Sequence, residues 1–170
     1  MSDTVKPLGA RVGELWVAAA VVALDQAAKA AVRSFLPLHE TVRAIPGLMD
    51  FTHVRNTGAA FGILNAADFP FKAAIIALIA TCALIGVGLY AAALPAHQRA
   101  ARLGLALVLG GAAGNLIDRV AAGYVVDFVD VYWRDYHFWA FNVADAAITV
   151  GVTVMILDML GLTHRVSQTV

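Results

Sequence analysis

Charge, cysteine and serine are all scarce in this chain. Only 14% of its 170 residues are charged and the formal net charge is zero, so no basic surface points to nucleic acid. The single cysteine, Cys82, rules out an internal disulfide and leaves the redox compartment open. It has no histidine in its own apolar stretch and reads as a small core residue. The serines are Ser2, Ser34 and Ser167, at the termini or at the edge of the first apolar run, which excludes a serine nucleophile inside a membrane helix. His39, His53, His97, His137 and His164 are scattered, and none has the His-Glu-x-x-His spacing, so neither a metal nor any other cofactor is expected. Repeats, low-complexity stretches and linkers are also lacking, and residues 1–170 read as one domain.

What remains is strongly apolar. Hydrophobic residues make up 61% of the chain, and its mean hydropathy is +0.76, too high for a soluble domain of this size. Four stretches, roughly 15–35, 71–94, 101–120 and 141–162, are long enough to cross about 30 Å of hydrocarbon as helices. Lys6 and Arg11 precede the first run in the manner of a signal peptide. Asp25, Gln26 and Lys29 interrupt that run, however, and an uncleaved first helix is expected. The loop 36–70 turns at Pro46-Gly47 and alternates partially over 48–55, which predicts a short strand or two at the membrane surface. The loop 121–140 carries Tyr124, Tyr132, Trp133, Tyr136 and Trp139, aromatics of the interfacial type. Lys6, Arg11, Arg99, Arg102 and Arg165 fall on the side of the termini in short segments. Arg33, Arg43, Arg55, Lys72, Arg119 and Arg134 lie opposite, diluted over the long loops, so the termini are expected to be cytoplasmic.

Aspartates are the remaining candidates for chemistry. Asp127 and Asp145 flank the start of the last apolar run; facing each other, they would share a proton and could activate water. Spacing alone favours the simpler reading, with Asp127 one of several loop acids along with Asp130 and Asp135, and Asp145 a boundary acid. Asp25 and Lys29, four apart, share a helix face as a packing pair or as part of a site. Gly110 and Gly114 form a small-xxx-small pattern, while Gly111, Asn115 and Asp118 follow one face of the same helix. With Arg119 at the end of that helix, these polar residues read as a supporting shell. Asn142 neighbours Asp145, and 56–62 is a polar, glycine-rich turn whose simplest role is to cap a strand.

Five ordered segments then carry a resemblance: Asp25-Gln-Ala-Ala-Lys29, Arg55-Asn56-Thr-Gly58-Ala-Ala-Phe61-Gly62, Gly110-Gly111-Ala-Ala-Gly114-Asn115-Leu-Ile-Asp118-Arg119, Val126-Asp127-Phe and Phe141-Asn142-Val-Ala-Asp145. Over essentially its whole length the chain resembles the bacterial lipoprotein signal peptidases (signal peptidase II). The resemblance implies an all-α membrane protein, a bundle of four transmembrane helices in the bacterial inner membrane, with a small extracytoplasmic β-platform built from the first loop. It implies an aspartyl endopeptidase that removes signal peptides from prolipoproteins, cutting before the diacylglyceryl-modified cysteine. Asp127 and Asp145 match the catalytic pair. Asn56, Gly58, Gly111, Asn115, Arg119 and Asn142 match the polar shell, and Asp25 and Lys29 the polar pair of the first helix. The expected partners are prolipoprotein substrates and membrane lipids, for a chain acting as a monomer. A small ion or proton transporter lined by the same polar residues is the alternative; those residues cluster toward one face instead of forming a continuous path. A structural subunit would not need two long loops on one side.

Overall fold

The computed structural model describes residues 8–58 and 69–162, the side chains of 8–11 excepted. Ser2, Lys6, the Arg11 side chain, Phe61, Gly62, His164, Arg165 and Ser167 lie outside the described residues. Among the described residues there are four helices: α1 (Leu8–Phe35), α2 (Lys72–Ala93), α3 (Arg99–Ala122) and α4 (Val143–Met159). Three contain apolar segments long enough to cross a membrane, Val12–Phe35, Lys72–Ala93 and Arg99–Ala122. The last apolar run behaves differently from expectation. Only 17 of its residues are helical, about 25 Å at 1.5 Å per residue, because Asn142 caps the start and the chain turns at Leu160.

The central element is α3, which packs against the other three helices. Its buried face carries four glycines, Gly104, Gly110, Gly111 and Gly114, beside Leu105, Ala106 and the polar Arg102, Asn115 and Asp118, and the glycines let backbones come close. A methyl group on Gly104 would lie 2.7 Å from the Gly151 carbonyl of α4, and one on Gly110 would lie 2.8 Å from the Ala18 carbonyl of α1. A methyl group on Gly111 would run into the Ala144 carbonyl at the start of α4. Large apolar side chains such as Leu24, Leu78, Ile79, Leu89 and Ile156 point outward, as lipid-facing residues do. At the end far from the candidate site, Arg102 and Glu14 tie α3 to α1 through contacts of 2.6 and 2.9 Å.

The sheet corrects one expectation. It contains β1 (Thr41–Ile45) and β2 (Met49–Asn56) from the first loop, as predicted, but also β3 (Val125–Trp133) and β4 (Tyr136–His137) from the second. The order is β1-β2-β3-β4, antiparallel throughout. Four valines between 125 and 131 favour an extended, half-buried strand, and pairing with β2 supplies the hydrogen bonds. Gly123 ends α3 at φ 79°, a left-handed conformation suited to glycine, and redirects the chain into β3. Two features of register then place the site. Val54 of β2 stands opposite Asp127. Farther along, Val129 and Phe141 exchange backbone hydrogen bonds of 2.8 and 3.0 Å, which draws the start of α4 alongside β3.

Candidate active site

Asn142 is the joint between the two acids. As N-cap of α4 its side-chain oxygen accepts from the Asp145 backbone N–H at 3.0 Å, while the Asp145 carboxylate accepts from the Asn142 backbone N–H at 3.3 Å. The result is a capping box with aspartate at its third position. Because the Asn142 oxygen is thus occupied, its amide nitrogen must point away from the helix, and it donates to Asp127 Oδ1 at 2.7 Å. One residue therefore touches both carboxylates. The N-terminus of α4 adds a partial positive charge that favours an acid at Asp145.

Each remaining carboxylate oxygen has its own donor. Asn56 Nδ2 reaches Asp127 Oδ2 at 3.0 Å, with the Asn56 oxygen held by the Gly58 backbone N–H at 3.0 Å. Asn115 Nδ2 reaches Asp145 Oδ1 at 2.8 Å. Arg119 Nη2 donates to the Gly58 carbonyl at 3.2 Å and fixes the turn after β2 to α3. Asp127 is 3% exposed, and its pKa is pushed up to about 7, first by burial and then by the neighbouring charge of Asp145. The bonds from Asn56 and Asn142 oppose that rise without cancelling it.

Behind the two acids lies a buried ionic cluster. Lys29, fully buried, contacts Asp25 Oδ2 at 2.7 Å, Asn115 Oδ1 at 2.9 Å and Asp118 Oδ2 at 2.9 Å. Asp25 in turn accepts from the Ala144 backbone N–H at 3.0 Å, capping the first turn of α4 from α1. Gly111 contributes by its size, since nothing larger fits against Ala144. All ten residues matched by the resemblance thus meet in one region. Arg33 and Asp118 belong there too, paired at 2.8 Å. Arg33 went unnoticed as a site residue, although it stands four residues beyond Lys29 on the same helical face.

A cavity of about 530 Å³ opens onto the two acids. Asn56, Asn115, Arg119, Asp127 and Asp145 form its polar end, and Phe138, Trp139, Phe141, Ile148 and Val150 line the rest. Trp133, Tyr136, Phe138 and Trp139 are exposed around the β3–β4 turn. An amphipathic ligand with a long apolar body and one polar reacting group fits such a cavity. Among the described residues no group of three His, Cys, Asp or Glu side chains is placed to hold a metal ion.

Known proteins resemble this chain over nearly its full length. The family profile described as signal peptidase (SPase) II matches residues 17–161. A lipoprotein signal peptidase of Geobacter metallireducens is 41% identical over 152 residues, covering 89% of this chain and 93% of that protein. One from Solibacter usitatus is 42% identical over 144 residues, covering 85% and 88%. Among solved structures, a bacterial membrane enzyme determined by the in meso method at 2.3 Å superposes with a TM-score of 0.78 at 32% identity, covering 93% of this chain and 92% of the other. A second, at 1.9 Å, gives 0.77 at 28% identity.

Proposed function

Since the chain belongs to the signal peptidase II family and is a membrane peptidase that removes signal peptides from prolipoproteins, we propose that Asp127 and Asp145 are the pair that performs the hydrolysis. The observation carrying this assignment is their convergence through Asn142 at the polar end of an otherwise apolar cavity. The transporter reading has no support from the family match.

The chemistry follows from one shared proton. Asp25, Asp118, Asp127 and Asp145 are balanced by Lys29, Arg33 and Arg119, so a single proton on the pair leaves the cluster neutral. The ionised member takes a proton from water as the water oxygen bonds to the scissile carbonyl carbon. Simultaneously the protonated member donates to the carbonyl oxygen. On collapse of the tetrahedral intermediate the C–N bond breaks, the departing nitrogen takes the proton held by the first member, and a hydroxyl of the intermediate returns its proton to the second as the carboxyl C=O forms, so the pair again holds one. The two acids titrate together, so the resting proton belongs to the pair.

The apolar length of the cavity accepts the acyl chains of a diacylglyceryl-modified cysteine or the signal helix, setting the peptide bond at the interface where water is present. Cleavage then falls just before that cysteine. With α4 as a fourth, short span, both termini lie in the cytoplasm and the site faces the opposite side of the inner membrane. The exposed aromatics of the β3–β4 turn rest in the headgroup region, and the chain acts as a monomer. The test is cleavage of a diacylglyceryl-modified prolipoprotein by the purified protein in detergent. Asp127→Asn and Asp145→Asn should each abolish cleavage in a folded protein, whereas Asp130→Asn and Asp135→Asn should retain it. Activity in either of the first two variants overturns the assignment.

A further inference from the structure

Asp25, Lys29 and Arg33 recur every four residues on one face of α1, opposite Asn115 and Asp118 of α3. Their contacts form one unbroken chain. Arg33 Nη2 reaches Asp118 Oδ1 at 2.8 Å, Asp118 Oδ2 lies 2.9 Å from Lys29 Nζ, and Lys29 holds the Asn115 oxygen at 2.9 Å. Asn115 then presents its amide nitrogen to Asp145 at 2.8 Å. The chain runs outward from a fully buried ammonium to a guanidinium that is 34% exposed. It is thus anchored in the core and open at one end.

We propose that Arg33 and Asp118 are positioning residues for the reaction, acting through Lys29 and Asn115 to set the pH range over which Asp127 and Asp145 hold a single proton between them. This rests on the reading of those two acids as the catalytic pair. Lys29 has no spare partner: its three acceptors fix both its own position and the orientation of the Asn115 amide. Without Arg33, Asp118 draws on Lys29 alone, weakening the hold on Asn115, and the region gains a net negative charge. Both changes oppose ionisation of the pair. Without the Asp118 charge, the region gains a net positive charge and ionisation becomes easier.

The other charged groups around the pair remain in place in either case. They are Asp25 from α1, Arg119 from α3, and Lys72 from α2, whose Nζ donates to Thr57 beside Asn56. Arg55 of β2 stacks over Tyr124 at 4.6 Å, and Asp130 of β3 is bonded to His137 of β4.

The experiment is the pH–rate profile of the purified full chain on a diacylglyceryl-modified prolipoprotein. Arg33→Met should move both limbs to higher pH by about half a unit or more, as expected when one nearby charge is lost in a medium of intermediate dielectric. Arg33→Lys should restore them. Asp118→Asn should move both limbs to lower pH, and Arg33→Met with Asp118→Asn should bring them back close to the original positions. A purely structural role predicts lower rates with no opposed limb movement, and that result overturns the proposal. Should Asp118→Asn fail to fold, unmoved limbs in Arg33→Met alone overturn it. Cleavage by Asp127→Asn would instead sink the catalytic pair, whereas unmoved limbs beside an inactive Asp127→Asn sink only the role of Arg33 and Asp118.

Discussion

Replacing Asp127 with asparagine should destroy activity and yet make the protein more stable in alkaline solution. Asp127 is buried, and its carboxyl holds its proton up to about pH 7 instead of the ordinary 3.8. Between those values the folded chain binds more protons than the unfolded chain, so stability is lost as pH rises through the window and the loss is complete above it. A difference of about three pKa units corresponds to about 4 kcal/mol at pH 8. Asparagine removes that penalty and relieves Asp145 of a neighbouring charge. It also introduces a mismatch. The oxygens of Asn56 and Asn142 are occupied by the backbone N–H groups of Gly58 and Asp145, so both side chains offer N–H to residue 127, where the carboxylate has two acceptors and asparagine one. That mismatch costs about 1–3 kcal/mol. The variant should therefore gain about 1–3 kcal/mol at pH 8, or a few degrees in Tm. The gain should vanish and reverse near pH 4, where the carboxyl is protonated in the folded chain and about half protonated in the unfolded one, so that little of the penalty remains. Thermal unfolding in detergent followed by tryptophan fluorescence at pH 8, 6 and 4 measures it. A variant less stable than the parent at pH 8, or a difference independent of pH, refutes the reasoning.

The alkaline limb of the wild-type rate should fall with a midpoint near 7, because rising pH strips the proton that the acid member must donate; a rate flat to pH 9 would contradict this. Lys29→Met leaves three carboxylate or amide acceptors without their cation and should destabilise by about 3–5 kcal/mol, read by denaturant or thermal unfolding. Gly111→Ala drives a methyl group against the Ala144 carbonyl and should cost about 1–3 kcal/mol together with a large loss of cleavage, since Asp145 is the next residue. Treatment with EDTA should leave cleavage intact if, as proposed, the two acids carry both proton transfers; loss restored by zinc would show otherwise.

The bounds of α2 were legible to within one residue and those of α3 to within two, because Pro95 and the polar turn around it interrupt the hydrophobic signal. The end effects on α4 were not. Hydropathy continues to 162, whereas the helix starts where Asn142 and Asp145 close a capping box and ends at a turn, and a hydropathy window cannot see either event. In the second loop the aromatics Tyr132, Trp133, Tyr136 and Trp139 read as an interface, which obscured the valine-rich strand that carries Asp127. Arg33 was read only as a loop-side positive charge. Its pairing with Asp118 depends on how α1 and α3 face each other, and no local pattern contains that information.

The polar residues nonetheless constrain that packing. Asp25, Lys29, Asn115, Asp118 and Asp145 each lie on an otherwise apolar helix, where an unpaired charge or amide would cost several kcal/mol. Arrangements of α1, α3 and α4 that leave any of them facing lipid are disfavoured by more than a typical packing interaction returns. The small residues of α3 then allow the close approach the contacts need: Gly111 admits the start of α4, and a methyl group on Gly114 would lie 2.7 Å from the Asp25 carboxylate. Which helix faces meet was therefore already implied by the positions of the charges. The register that brings Asp127 to the same point was not, because it rests on the pairing of Val129 with Phe141 across a hairpin whose strands look, in sequence, like a loop.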